Sequence, residues 1–143
     1  MIFSRQIAFI ESLESQVFET MQQVIRDFGF ELEEAIREDQ LFEKGEDGNK
    51  KKLLGYSRTT IRIKIAKGQP VDRTTLRDEN DFHPSIQIEA KSEGFEVSSN
   101  VTHAKFLIGR YGSAILRPNI DNMRDFIENH FIPNFKKQIQ DVL

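Results

Sequence analysis

The 143-residue sequence has no cysteine. That excludes a thiol nucleophile, a disulfide framework and a cysteine-ligated zinc site, and it accords with a reducing compartment. Tryptophan is also absent, and two tyrosines stand against 12 phenylalanines, so the aromatic core is built on rings without a polar handle. No window approaches the roughly 18 apolar residues of a membrane span. The opening Met1-Ile2-Phe3-Ser4-Arg5 lacks the basic start and apolar run of a secretory signal. The chain is therefore expected to stay in the cell that makes it, unless it leaves inside a larger particle. A basic excess is missing too: the formal net charge is −3, which disfavours a general nucleic-acid scaffold. Apolar residues are 38% and charged residues 30% of the chain. That balance implies a modest core, much polar surface, and a core that assembly with partners would complete. The length suits one domain, 1–143.

Along the chain, Ser4 can cap a helix over 4–38. Ile7, Ile10, Leu13, Val17, Met21, Val24, Ile25 and Phe28 recur at steps of three and four, the mark of one buried face. Gly29 is a place for that helix to end or bend. Gly45, Asp47, Gly48 and Asn49 form a turn, across which residues 40–43 and 53–54 are expected to pair. Lys50-Lys51-Lys52 within it reads as a solvated loop in preference to a phosphate site. From Tyr56 to Ala66, Thr60, Arg62 and Lys64 alternate with Ile61, Ile63 and Ile65, which predicts a half-buried strand. A helical face through Tyr56, Thr59 or Thr60, and Ile63 is the alternative. Residues 67–84 form a long polar connection. Two strands, Ser85–Ala90 and Phe95–Ser99, make an antiparallel hairpin. A short helix follows over His103–Tyr111, with Gly112 as its stop. The last helix runs from about 120 to 142 and should be kinked or divided at Pro133. The expected fold is α+β: a long N-terminal helix, an antiparallel sheet of about three to four strands, a short helix and a kinked C-terminal helix.

Chemistry-bearing patterns are few. Glu89-Ala90-Lys91, with Asp81 or Asp78 upstream, has the skeleton of a PD-(D/E)xK nuclease, in which two carboxylates hold Mg²⁺ and the lysine orients water. Glu-x-Lys is common in a chain this charged, and charged residues are expected at a strand edge. His83, His103 and His130 lack a second ligand at metal-binding spacing; His83, before Pro84, reads as a surface residue. The last helix mixes both charge signs on its polar face, which suits packing better than a lipid surface. No catalytic residue, metal site or cofactor is assigned, and the chain is read as a non-enzyme.

A run of residues nevertheless carries a resemblance: Gln40-Leu41, Gly45 and Gly48, Tyr56-Ser57-Arg58-Thr59, Lys64, Gly68-Gln69-Pro70, Thr75-Leu76-Arg77-Asp78, Asp81-Phe82, Ser85, Ser98-Ser99, Lys105 and Tyr111-Gly112. This stretch, Gln40 to Pro118, resembles small virion proteins of tailed phages, especially those of Bacteroidetes hosts. The whole looks like the tail-completion or head–tail joining proteins of the HK97 gp10-like class. Glu79-Asn80 departs from the Thr-Gly of that pattern, although Asn also tolerates positive φ. The resemblance implies a non-enzymatic ring subunit at the head–tail connector or tail end, located in the virion. Its partners would be copies of itself and other virion proteins, with no membrane and no specific nucleic acid. The 67–84 loop is long for a compact domain, and such loops are usually functional or disordered; this one is expected to order against a neighbouring subunit. Pro70, Thr75, Leu76, Arg77, Asp78, Asp81 and Phe82 are thus the expected subunit-interface residues. A protein-binding module and the nuclease are the alternatives.

Overall fold

A computed structural model describes residues 2–78 and 81–143; Glu79-Asn80 lies outside the described residues. Helix α1 runs without a break over Ile2–Glu34. Gly29 does not end it. A Cβ there would come to 3.4 Å from the Ile88 side chain, an ordinary contact, so α1 passes close to the hairpin at this point. The helix then widens into a π-helical segment, Ala35–Lys44. In a π turn, i→i+5 bonding brings residues five apart toward one face. Ile36, Gln40 and Leu41 are all fully buried there, which an α turn would not allow for 36 and 41 together. Gly45, at φ 61°, ends the segment with its N–H on the Gln40 carbonyl.

The sheet is smaller than expected. It has two antiparallel strands, β1 (Ile86–Lys91) and β2 (Gly94–Ser99), in register from Ile86↔Ser99 to Lys91↔Gly94. The strand expected at Tyr56–Ala66 is a helix, α2, spanning Arg58–Ala66. Its ends decide the matter. Ser57 Oγ accepts from Thr60 N at 3.2 Å as an N-cap. Beyond its last turn Gly68 sits at φ 71°, where Gly68 N and Gln69 N bond back to Ile65 O and Lys64 O at 3.0 and 2.9 Å. Residues 40–43 are likewise π-helical and do not enter a hairpin; across that turn the one bridge among the described residues is Glu46↔Lys52.

The core is Ile36, Leu41, Phe82, Ile86, Ala104 and Ile115. Phe82 comes from the single turn α3 (Phe82–Ser85), Ala104 from α4 (Ala104–Tyr111), and Ile115 from a 3₁₀ turn, Ser113–Leu116, after Gly112. α1 anchors β1 through polar groups as well. Glu33 Oε1 accepts from Ile88 N at 2.8 Å, and Arg37 donates to His83 O and Ile86 O at 2.7 and 2.6 Å. The open edge of β1 is thereby partly occupied.

The C-terminal helix is divided as Pro133 predicts. α5 (Ile120–Phe126) passes through a π-helical stretch, Ile127–Phe131, into α6 (Ile132–Val142), with Pro133 in the first turn of α6. Phe126 meets Phe95 edge to face, stacks on His130 and lies tilted to Phe131, and Phe131 lies parallel to Phe135 at 6.0 Å. This bent helix runs back along α1, from His130 opposite Glu31 to Val142 beside Glu19 and Thr20. Residues 4–12 of α1 lie beyond its end and are exposed throughout.

Gln40 ties the π-helical extension of α1 to the start of α5. Gln40 Nε2 donates to Arg117 O at 2.9 Å, and its Oε1 accepts from Asn119 N at 2.6 Å and Asn122 Nδ2 at 3.0 Å. Asn119 itself caps α5. Gly48 makes the approach possible from the other side: its N–H bonds Ala114 O at 2.8 Å, and a Cβ would collide with the Arg117 backbone. Gln40→Leu preserves bulk but strands a buried donor and acceptor. It is expected to cost about 3 kcal/mol, seen as a lower midpoint with unchanged slope in urea unfolding. Gly48→Ala is expected to cost about 2 kcal/mol by overpacking. An unchanged midpoint in either variant would show that this junction does not hold these segments together.

Candidate functional site

The described part of the connection, residues 67–78 and 81, is irregular, and it floors a cleft. Helix α2 forms one wall and α4 the other. Tyr56, Thr60, Ile63, Leu76, Leu107 and Tyr111 provide its lining, with Lys64, Arg77, Asp78, Asp81 and His103 among them; its volume is about 450 Å³.

The floor is fixed from below by three groups. Tyr56 Oη accepts from Thr75 N at 2.8 Å. Arg77 lies over the Phe42 ring at 4.1 Å and donates to Glu38 at 2.6 Å. Arg73 stacks on the other part of that ring, at 5.3 Å, and salt-bridges Asp72. With Thr75 and Arg77 held, Leu76 is left at φ 57°. That is left-handed backbone for a residue with a Cβ, at a cost of about 1–2 kcal/mol. The strain turns a leucine toward the cleft.

Lys64 is the unusual wall residue. It is buried, yet among the described residues no carboxylate bonds its ammonium. It donates to Gln69 Oε1 at 3.2 Å and Arg77 O at 3.0 Å, and sits 4.8 Å above the Tyr56 ring. α2 therefore turns its lysine inward and leaves Ile63 and Ile65 51% and 62% exposed. The period-two reading of this segment placed Lys64 with Thr60 and Arg62 on one strand face. A helix separates Arg62 from Lys64 by half a turn.

The seven expected interface residues divide. Leu76, Arg77, Asp78 and Asp81 line the cleft. Thr75 and Phe82 are buried under it in this chain's own interior, and Pro70 is half-buried. The Lys67 ammonium, bonded to Asp78 at 2.9 Å, holds that carboxyl below the ordinary range. Asp81 accepts from Phe82 N at 2.8 Å and faces His103 at 3.5 Å.

The nuclease pattern resolves into other pairings. Glu89 binds Lys91 at 3.2 Å, Lys91 also reaches Glu96 at 3.7 Å, and the bond to Glu89 raises the lysine pKa. Among the described residues no group of three or more His, Asp and Glu side chains is placed to hold a metal ion. Comparison with protein-family models, with curated proteins and with solved structures finds no match.

His83 was expected at the surface and is 2% exposed. Its Nε2 stands 2.7 Å from Thr75 O. A carbonyl only accepts, so Nε2 carries the proton, and Nδ1 is buried without a partner. The sequence signal that was available is its flank: Asp81 caps and Phe82 enters the core, which draws the next residue in. Burial pushes the His83 pKa down to about 4. The unfolded chain, with an ordinary histidine, takes up a proton near pH 6.5 while the folded chain does not. Stability is thus full above pH 6.5 and is lost as pH falls toward 4, by about 3 kcal/mol from this residue. Urea unfolding of wild type and His83→Gln across that window is expected to show the wild-type value falling by that much relative to the variant. Parallel curves would mean that His83 is not held neutral.

Proposed function

We propose that this chain is a non-enzymatic structural subunit that works by assembling with copies of itself. The setting that its sequence resemblance favours is the ring of a phage head–tail connector or tail-completion complex. One observation carries the reading. Among the described residues fourteen large apolar side chains are exposed, while eleven apolar residues, two of them alanines, form the buried core. An exposed isoleucine is ordinary in isolation. A nine-residue helix that buries a lysine and exposes two isoleucines is not, and apolar surface of this extent marks interaction sites. Phe106 on α4 is exposed as well, at 77%.

The cleft fits this role better than catalysis. Its polar groups are engaged with one another: Lys67 with Asp78, Arg77 with Glu38, Lys64 with Arg77 O. Its apolar lining and strained Leu76 present shape. Sites on distinct parts of one molecule give head-to-tail contacts, and these close into rings when the rotation between copies allows it.

Light scattering coupled to size exclusion tests the reading. A mass that is a multiple of the 16.6 kDa chain is expected, rising with concentration. Mass spectrometry of purified particles is expected to find the chain among virion proteins. A strict monomer at high concentration that is missing from particles would overturn the proposal.

A further inference from the structure

Two helix stripes that the fold leaves uncovered are complementary. The first is on the part of α1 beyond the end of α6. Ile7 and Ile10 are 57% and 54% exposed there, and Glu11 and Glu14 follow each by four residues. These four positions, at i, i+3, i+4 and i+7, share one helix face. The second is on the side of α2 turned away from the cleft. Arg58, Ile61, Arg62 and Ile65 have the same spacing, and Ile65 is the more exposed of the two isoleucines. Among the described residues Glu11, Glu14, Arg58 and Arg62 make no ion pair, so each stripe offers two uncompensated charges, of opposite sign.

We infer that the α1 stripe of one copy docks, antiparallel, on the α2 stripe of a second copy. The inference rests on the assembly reading and names its contact. Antiparallel alignment sets Ile7 against Ile65, the pair Ile10 and Glu11 against Ile61 and Arg62, and Glu14 against Arg58. Apolar groups then meet apolar groups, and each acid meets an arginine. Pairing α1 with a second α1 would bring Glu11 and Glu14 of both copies together, and pairing α2 with α2 would do the same to the arginines. The complementary partner is therefore the other stripe. Since the two stripes are separate surfaces of one molecule, the contact is head-to-tail and leaves a free stripe at each end for the next copy. This is a helix laid on a helix face, with the charges fixing its register and direction.

Charge reversal tests it. Glu11→Lys with Glu14→Lys reverses the α1 stripe, and Arg58→Glu with Arg62→Glu reverses the α2 stripe. All four positions are exposed, so circular dichroism and melting temperature are expected to match wild type. Each double variant alone is expected to run at the 16.6 kDa of one chain. The quadruple variant, and an equimolar mixture of the two doubles, are expected to regain the wild-type mass, because every contact again joins opposite charges. Wild-type mass in both doubles would place the contact elsewhere and overturn this inference while leaving the assembly reading intact. Failure of the quadruple to reassemble would also overturn it. A monomeric wild type would remove both.

Discussion

The side chain of Gln40 fixes where the C-terminal helix begins against the extension of α1. It lies in the π-helical extension of α1, between Ile36 and Leu41, and each of its polar atoms is used by the segment that begins the C-terminal helix. Leaving a buried amide atom unpaired is costly, and both polar atoms of Gln40 find partners. This pairing dictates geometry. Arg117 and Asn119 must stand within hydrogen-bond reach, so the start of α5 cannot slide along α1. The loop 45–52 must pass close to Arg117, which Gly48 permits. The π turn matters because it places the amide and its two apolar neighbours on one face. The apolar pair supplies burial, and the amide supplies position.

From this junction the order spreads in two directions with different chemistry. Toward the hairpin, the contact is apolar but guided by Glu33 and Arg37, which bond strand and turn backbone. Toward α2, it is almost wholly polar: Tyr56 to Thr75, Lys64 to Arg77 O, Arg77 to Glu38. A neutral hydrogen bond contributes roughly 1 kcal/mol, and one made by a charged group, as two of these are, roughly 1.5–3 kcal/mol. α2 is thus positioned by directional bonds, and its apolar side chains remain available. That division of labour is what a binding element requires: a fixed backbone and unspent hydrophobic surface.

The parts of the fold legible in the sequence were those where one signal acted alone. The three-and-four spacing of α1, the hairpin around Gly94, the α4 stop at Gly112 and the break at Pro133 each follow from a local rule. α2 was misread because two signals competed. Ile61, Ile63 and Ile65 alternate as in a strand, but Ser57 and Gly68 cap a helix, and no neighbouring strand stands ready to pair. Propensity in a short segment yields to its ends and to its partners. The π-helical widening at Ala35 was invisible because it is driven by Gln40's distant partners. In the cleft, Leu76, Arg77, Asp78 and Asp81 were legible as one linear run. Tyr56, Lys64 and Leu107 were not, since only the folded chain brings them to it. His83 was misread because its place before Pro84 suggested an exposed turn, while Phe82 beside it goes into the core.

The energetics of the two exposed stripes differ in a way that bears on assembly. A free helix shorter than about 12–15 residues is marginal in water because nucleation is costly. The exposed turns of α1 escape that cost: they propagate from a helix already nucleated and packed from Thr20 onward, each residue adding one hydrogen bond. They are presented as a preformed rod. α2, with nine residues, has no such extension to lean on, and its order depends on both caps and on the buried Lys64. Preorganisation of both surfaces reduces the ordering entropy that docking must overcome. Modest apolar area, about two isoleucines from each side, can then contribute usefully, while opposite charges direct the approach. On the assembly proposed above, the low apolar content of the sequence and the uncovered helix faces share one physical explanation. Burial left incomplete within the chain remains available for contact between chains.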